Sequence, residues 1–227
     1  MKALNNEKLA EFIVALGRFN DYGSTKAQTQ KALESGTVSE LNQDNDDVVI
    51  FQDILKALKA IEGEELTVGS IIKINQAFDG DSREQPTHPG ILRDGLLRPH
   101  TDKIYVRLWP GEKGPVIYEP PLQVEEEDLE KIILNWKIGP KTRLKAWHFF
   151  GELAKLQPFQ DGNKRTALIA ANLAMGALKT QDYLMPPAGR DYLRFLSALM
   201  GVYGVGLEGG PITKEQAWLE FEEVMNT

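Results

Sequence analysis

The chain contains no cysteine. That excludes disulfide bridges and every thiolate metal site, and it leaves the compartment open on this count. Histidine is nearly as scarce: His88, His100 and His148 are the three present, too scattered in sequence to suggest a metal cluster. Positive charge is in deficit, with 26 Lys and Arg against 33 Asp and Glu and a net charge of −7. A nucleic-acid binder wants a basic face, so general nucleic-acid binding is not expected. No apolar run approaches the roughly 20 residues that span a bilayer. No charged-then-apolar leader opens the sequence, and there are no repeats. The expectation is a cytoplasmic protein with no membrane segment.

What remains is ordinary globular material. Of 227 residues, 42% are apolar and 26% charged, enough for a sizeable core and best accommodated as one domain with an extra helical segment. Helical periodicity dominates. Residues 5–18 carry a stripe of Leu9, Phe12, Ile13 and Leu16, and residues 25–35 form a weaker polar candidate. A polar linker over 37–47 leads to a helix with Ile50, Ile54, Leu55, Leu58 and Ile61 on one face. Gly63 suits its C-terminal end, and Thr67 can start the next helix, which carries Val68, Ile71, Ile72 and Phe78.

Residues 79–102 read as loop. Alternation over 103–109, a break at 110–114 and the apolar run Val116-Ile117-Tyr118 predict a β-hairpin with a loose turn. Glu125 to Asp128 suit a helix N-terminus, and Leu129, Ile132, Ile133 and Trp136 give that helix its buried stripe. Pro140 is expected to open the helix bearing Leu144, Trp147, Phe150 and Leu153. A further helix carries Tyr192, Leu196, Leu199 and Tyr203. Beyond the glycine-rich stretch 201–210, Thr213 and Gln216 form a capping box for the last one.

The stretch that organises the rest is 156–172, LQPFQDGNKRTALIAAN. Asp161-Gly162-Asn163 makes a tight turn, and an apolar, alanine-rich run through Leu178 leaves it as a central helix. Lys164 and Arg165 fall in the first turn of that helix, where cations oppose its dipole by roughly 0.3–1 kcal/mol each. An anion held between the dipole, the two cations and the turn amides relieves that conflict. Asp161 beside it is placed to hold Mg²⁺, which favours one carboxylate plus phosphate oxygens. The residues so suggest a nucleotide-phosphate site; the alternative is a plain helix–helix turn capped by Asp161, with the basic pair solvated.

The segment QPFQDGNKRTAL resembles the signature of the Fic/Doc (Fido) family, HPFxDGNxR with a further Arg three residues on. Pro158, Phe159, Asp161, Gly162, Asn163 and Arg165 match it, and Lys164 resembles the Doc branch. The chain departs from the pattern at two positions: the family's His is Gln157, and its second Arg is Leu168. Gly90-Ile91-Leu92-Arg93 resembles the GxxR that precedes the family's active-site flap. Its residue-level alternative is a solvated Arg after a turn. Glu62-Gly63 matches the end of the family's inhibitory helix, but Leu58 stands in place of its Ser or Thr, so a surface Glu is expected.

The resemblance covers about residues 50 to 200. It implies a mainly α Fido-fold helical bundle with a small β-hairpin flap, divided as 1–46 (N-terminal helical segment), 47–203 (Fido domain) and 204–227 (C-terminal helix packed on the domain). It implies ATP or another nucleotide with Mg²⁺, and transfer of AMP or phosphate to a hydroxyl of a target protein docked on the flap, with an antitoxin as a further partner. By position, Asp161 would carry the metal, Gly162, Asn163, Lys164 and Arg165 the nucleotide, and Gln157 and Arg165 the catalytic places. A carboxamide has no usable pKa near neutrality, so Gln157 cannot act as the base that the family's His supplies. Three readings compete: a transferase with Gln157 tolerated or compensated, a nucleotide-binding pseudoenzyme that captures a partner without modifying it, and an all-helical scaffold with no ligand, which leaves the basic pair at the helix start unexplained.

Overall fold

The computed structural model describes residues 5–43, 46–82 and 85–225. The expected linker over 37–47 therefore lies outside the described residues at 44 and 45. The chain runs through α1 (Asn6–Gly17), α2 (Lys26–Ser35), α3 (Asp47–Ala60) and α4 (Val68–Gln76) before a hairpin of β1 (Val106–Gly111) and β2 (Gly114–Tyr118). Next come α5 (Glu126–Lys137), α6 (Arg143–Leu156), α7 (Asn163–Ala174), the short α8 (Ala177–Thr180), α9 (Arg190–Tyr203) and α10 (Lys214–Met225). This is the mainly α bundle with a small antiparallel hairpin that the sequence implied.

The helix starts follow local chemistry. Asn5 accepts from the amides of Glu7 and Lys8 to cap α1, and Thr25 with Gln28 forms a capping box at α2. Thr67 pairs in the same way with Ser70 at α4. Each such cap satisfies amides that the helix itself leaves unbonded and contributes about 1 kcal/mol.

At the centre lies α7, whose residues Arg165 to Asn172 are all buried. Helices α6, α4 and α1 pack around it. One buried cluster joins Phe12 of α1, Ile54 of α3, Ile74 of α4, Phe150 of α6, Ile169 of α7, Phe195 of α9 and Phe221 of α10. Phe12 stacks on Tyr183, in the connection between α8 and α9, with ring centroids 4.3 Å apart, so the N-terminal helix shares the core of the central ones.

Three local expectations are corrected. The central helix stops at Ala174 instead of running through Leu178, because Gly176 adopts φ 70° and a separate turn of helix begins at Ala177. Helix α6 opens at Thr142, whose side chain accepts from the Lys145 amide, two residues after Pro140. The hairpin turn is tighter than 110–114: Pro110 pairs with Pro115 and Gly111 with Gly114, which leaves Glu112 and Lys113 at the tip. A register shift between Arg107 and Pro110 lets the proline sit in the ladder.

The candidate active-site turn between α6 and α7

Helix α6 ends at Gln157 in the left-handed region, φ 52° and ψ 58°. A non-glycine residue there carries a strain of about 1–3 kcal/mol and persists only where its surroundings hold it. Arg93 does the holding. Its backbone N–H donates to the Pro158 carbonyl at 2.8 Å, and its Nε donates to the Gln157 carbonyl at 2.9 Å. The same guanidinium reaches the carbonyls of Asp102 (3.0 Å) and Pro121 (2.6 Å). It is 1% exposed, a buried cation made tolerable by this full set of acceptors. Arg93 is thus no solvated residue after a turn; it binds the loop before the hairpin to the loop before α7.

Beyond Pro158 the loop is cross-linked by Asn163. Its Oδ1 accepts from the Phe159 amide at 2.9 Å, while its Nδ2 donates to the Phe159 carbonyl (2.8 Å) and to Gln157 Oε1 (3.1 Å). The Asn163 side chain is therefore structural, and only its main chain faces the turn. Gln157 Nε2 donates back to the Ala154 carbonyl at 2.7 Å and lies 3.5 Å from the Tyr203 hydroxyl. Full burial pushes the Tyr203 phenol far above its usual range, so it stays protonated. Gln157 is itself buried, and both ends of its amide are engaged within the protein.

The turn itself is shaped by Gly162, at φ 74°. A Cβ there would lie 2.8 Å from Phe78 Cδ2 and 3.1 Å from Asn75 Nδ2, so a side chain fits neither the conformation nor the space. Asn75, fully buried on α4, donates to the Asp161 carbonyl at 3.0 Å and to Thr166 Oγ1 at 3.3 Å. Its Oδ1 accepts from the Gly90 amide at 2.9 Å. Thr87 N–H donates to Gln160 Oε1 at 2.8 Å. These two links bring the segment 85–90 against the turn. His88 belongs to that segment, whereas His148 stacks on Trp218 and bonds Glu222 on α10.

The charged residues divide between floor and rim. Arg165 is fully buried; it lies over the Phe78 ring at 4.4 Å, and its Nη2 donates to Gln85 Oε1 at 3.0 Å. Lys164 is partly buried. Burial pulls its ammonium pKa down, Asp161 opposes that pull, and Arg165 adds to it. Asp161 is partly exposed, and its Oδ1 accepts from the Gly162 amide at 2.6 Å. At position 168, Leu168 is buried in the core, and Glu62 is exposed just past the end of α3.

The structure thus brings Gln157, Asp161, Gly162, Asn163, Lys164 and Arg165 into one turn. Sequence reasoning missed Asn75, Gln85 and Tyr203, which lie on other elements and belong to no local pattern. The arrangement suits an anion. No side chain caps α7, so its first-turn amides point toward the rim, where a desolvated lysine lacks an anionic ion-pair partner within 4 Å among the described residues. Among the described residues no cluster of three or more acidic or His ligands exists, so a cation here would rest on Asp161 and on oxygens of the ligand.

Residues 65–175 match the model of the Fic/DOC family, a span that includes α4, the hairpin, α5, α6 and α7. That match supports membership of the family. No curated protein matches the chain.

Proposed function

From this support for Fic/DOC membership, we propose a nucleotide-dependent transferase that moves AMP or phosphate to a hydroxyl of a target protein and is held at low turnover by Gln157. The observation that carries the proposal is the uncapped N-terminus of α7, flanked by Lys164 and Asp161 and adjoining position 157. ATP with Mg²⁺ supplies the electrophilic phosphorus and a divalent charge beside it. Asp161, whose Oδ1 is engaged by the Gly162 amide, would offer its other carboxylate oxygen to the cation, and the main chain at Asn163, with that of Gly162 once released from Asp161, would offer N–H donors to phosphate oxygens. Lys164 adds a cation at the rim, while Arg165 adds charge from beneath the turn and fixes its height through Gln85 and Phe78. Gln157 takes the place where a base is needed, and a carboxamide accepts no proton there. Loss of a general base typically costs about 10²–10⁴ in rate.

The target is proposed to dock on the hairpin by strand addition, and an antitoxin is a second proposed partner. The reading places the protein in the cytoplasm. Among the described residues no helix is long and apolar enough to cross a membrane. A pseudoenzyme that binds nucleotide and partner without transfer is the second reading, and the internal hydrogen bonds of Gln157 favour it.

The test is incubation of the purified protein and a host lysate with ATP labelled separately at the α- and γ-phosphates, alongside calorimetry with ATP and Mg²⁺. Slow transfer of one label to protein supports the transferase. Nucleotide binding with no transfer selects the pseudoenzyme, and absence of binding at millimolar nucleotide overturns both.

A further inference from the structure

The segments flanking the hairpin expose large apolar side chains: before it, Leu96 is 67% accessible, Leu97 72% and Tyr105 62%, and after it Leu122 is 48% accessible. They are close in space as well as numerous. The Gly95 amide donates to the Leu122 carbonyl at 2.7 Å, and a Cβ at Gly95 would lie 3.0 Å from that oxygen and 3.5 Å from Lys103 Cα. Asp94 Oδ1 accepts from the amides of both Leu96 (3.0 Å) and Leu97 (2.9 Å), which fixes their backbone in the exposed position. Solvated leucines held by an ordered turn differ from the isolated surface apolar residues that need no explanation.

Beside this shelf runs an alternating row. Lys103, Tyr105 and Arg107 are exposed, whereas Ile104, Val106 and Leu108 are partly buried, an alternation that runs from the segment before β1 into the strand, which begins at Val106. Ile117 pairs with Arg107 across the ladder and is also exposed. Neither Lys103 nor Arg107 forms a salt bridge among the described residues. A cation–aromatic–cation row thus stands out on a chain of net charge −7. Its neighbouring acids are Asp102, which is buried and bonded to Arg98, Glu112 at the hairpin tip and Glu119 after β2.

The shelf is also fixed relative to position 157. The one Arg93 guanidinium that holds the Gln157 carbonyl holds those of Asp102 and Pro121, and the Val124 amide donates to the Arg93 carbonyl at 3.0 Å. A segment seated on the shelf is therefore presented at a set distance from the turn.

We propose that this surface selects the target: an extended polypeptide segment whose large apolar residues cover Leu96, Leu97 and Leu122, and whose acidic residues alternate along the row Lys103–Tyr105–Arg107. The inference rests on the reading of a polypeptide target. The sheet contributes an unpaired strand edge for its backbone, cross-strand pairs set its side-chain register, and Arg93 relays that register to the reacting position. Specificity comes from apolar cover and charge together, because either alone would accept many segments.

The test uses the full chain without nucleotide and three fluorescein-labelled decapeptides: one alternating Glu and Leu, one with Lys for Glu, and one with Ser for Leu. Fluorescence anisotropy is expected to rank the first at least about 10-fold tighter than the other two. Leu96→Ser with Leu97→Ser should cost on the order of 10-fold, and Lys103→Glu with Arg107→Glu should reverse the preference toward the Lys peptide. These are exposed positions, and ATP affinity by calorimetry should match the parent in both variants. Equal binding of the three peptides, no binding at all, or unchanged binding by both variants overturns the proposal. So does binding to anionic phosphatidylserine vesicles that the same substitutions abolish while no peptide binds. A failed calorimetric titration with intact peptide selectivity would instead overturn the nucleotide site alone.

Discussion

Arg93 Nε sits 2.9 Å from the main-chain oxygen of Gln157, and the two residues are 64 positions apart. One buried guanidinium thereby sets the backbone of a strained, left-handed residue at the end of α6. Replacing Arg93 with Ala should destabilise the fold by about 3 kcal/mol or more, since the buried carbonyls of Gln157 and Asp102 and the part-buried one of Pro121 lose their donor together. Arg93→Lys should rescue little of this, because one ammonium cannot reproduce a planar fork. Urea unfolding of both variants measures it, and a loss below about 1 kcal/mol in the Ala variant would show that the link is dispensable.

A glycine substitution tests the turn in the same way. Gly162→Ala meets Phe78 and Asn75 and forces a left-handed backbone on a residue with a Cβ. A destabilisation of about 1–3 kcal/mol is expected, accompanied by a fall in nucleotide affinity of at least about 10-fold as the amides move. Thermal unfolding and calorimetry are the paired measurements. Affinity that survives would mean the turn amides are not the phosphate site.

How much of this was legible in sequence depends on the range of the interaction. The helices and the turn were readable because their signals are local: Thr67 and Thr142 cap by contact with residues three positions on, and Asp161-Gly162-Asn163 is a turn by composition. The break at Gly176 was lost because the apolar run masks it on both sides. Arg93 was visible as a motif match, but its burial depends on carbonyls from 102, 121 and 157, which no local pattern connects. Asn75 joins α4 to the turn across 86 positions, and its sequence neighbourhood shows only one polar residue on an apolar face. The burial of Arg165 was likewise hidden, since a first-turn cation usually projects into water. What places it in the floor is the ring of Phe78, just beyond the end of α4.

Lys164 offers a prediction about protons. Its free ammonium has a pKa pulled down by burial; a bound phosphate raises it again. The bound state then holds more proton than the free state in the window between the two values, so nucleotide binding should take up protons there. Affinity should fall as pH rises through that window. Calorimetry in buffers of differing ionisation enthalpy reads the uptake directly, and Lys164→Met should abolish it. Uptake that persists in the variant would assign the proton to another group.

The hairpin carries a latch at its tip. Trp109 Nε1 donates to the Glu208 carbonyl at 2.9 Å, and the Glu112 amide donates to Glu208 Oε1 at 2.9 Å. Glu208→Ala removes only the second bond, at an exposed site. Amide exchange over 110–116 should quicken by about 5-fold, matching a loss near 1 kcal/mol, with global stability unchanged. Exchange that stays at the parent rate would mean the Trp109 contact alone holds the tip.

The last prediction concerns Gln157. Asp161, Gly162, Asn163 and Arg165 stand together at the turn, and the residue at 157 lacks basicity. Gln157→His should fit: histidine tolerates the left-handed region better than most residues, and a ring N–H can donate to the Ala154 carbonyl where Gln157 Nε2 now does, which leaves the other ring nitrogen free as base. The imidazole brings a proton acceptor with a pKa near 6.5, so label transfer should rise on the order of 10²-fold or more. The sign with pH is fixed by the chemistry. The base works when neutral, so the gain is full above that pKa and fades below about pH 6. Parent and variant transferring label equally would mean that another group already serves as base, and His88, brought near the turn through Thr87 and Gln160, is the histidine to replace next. If both are silent while nucleotide still binds, the missing base is not what limits transfer, and the pseudoenzyme reading gains.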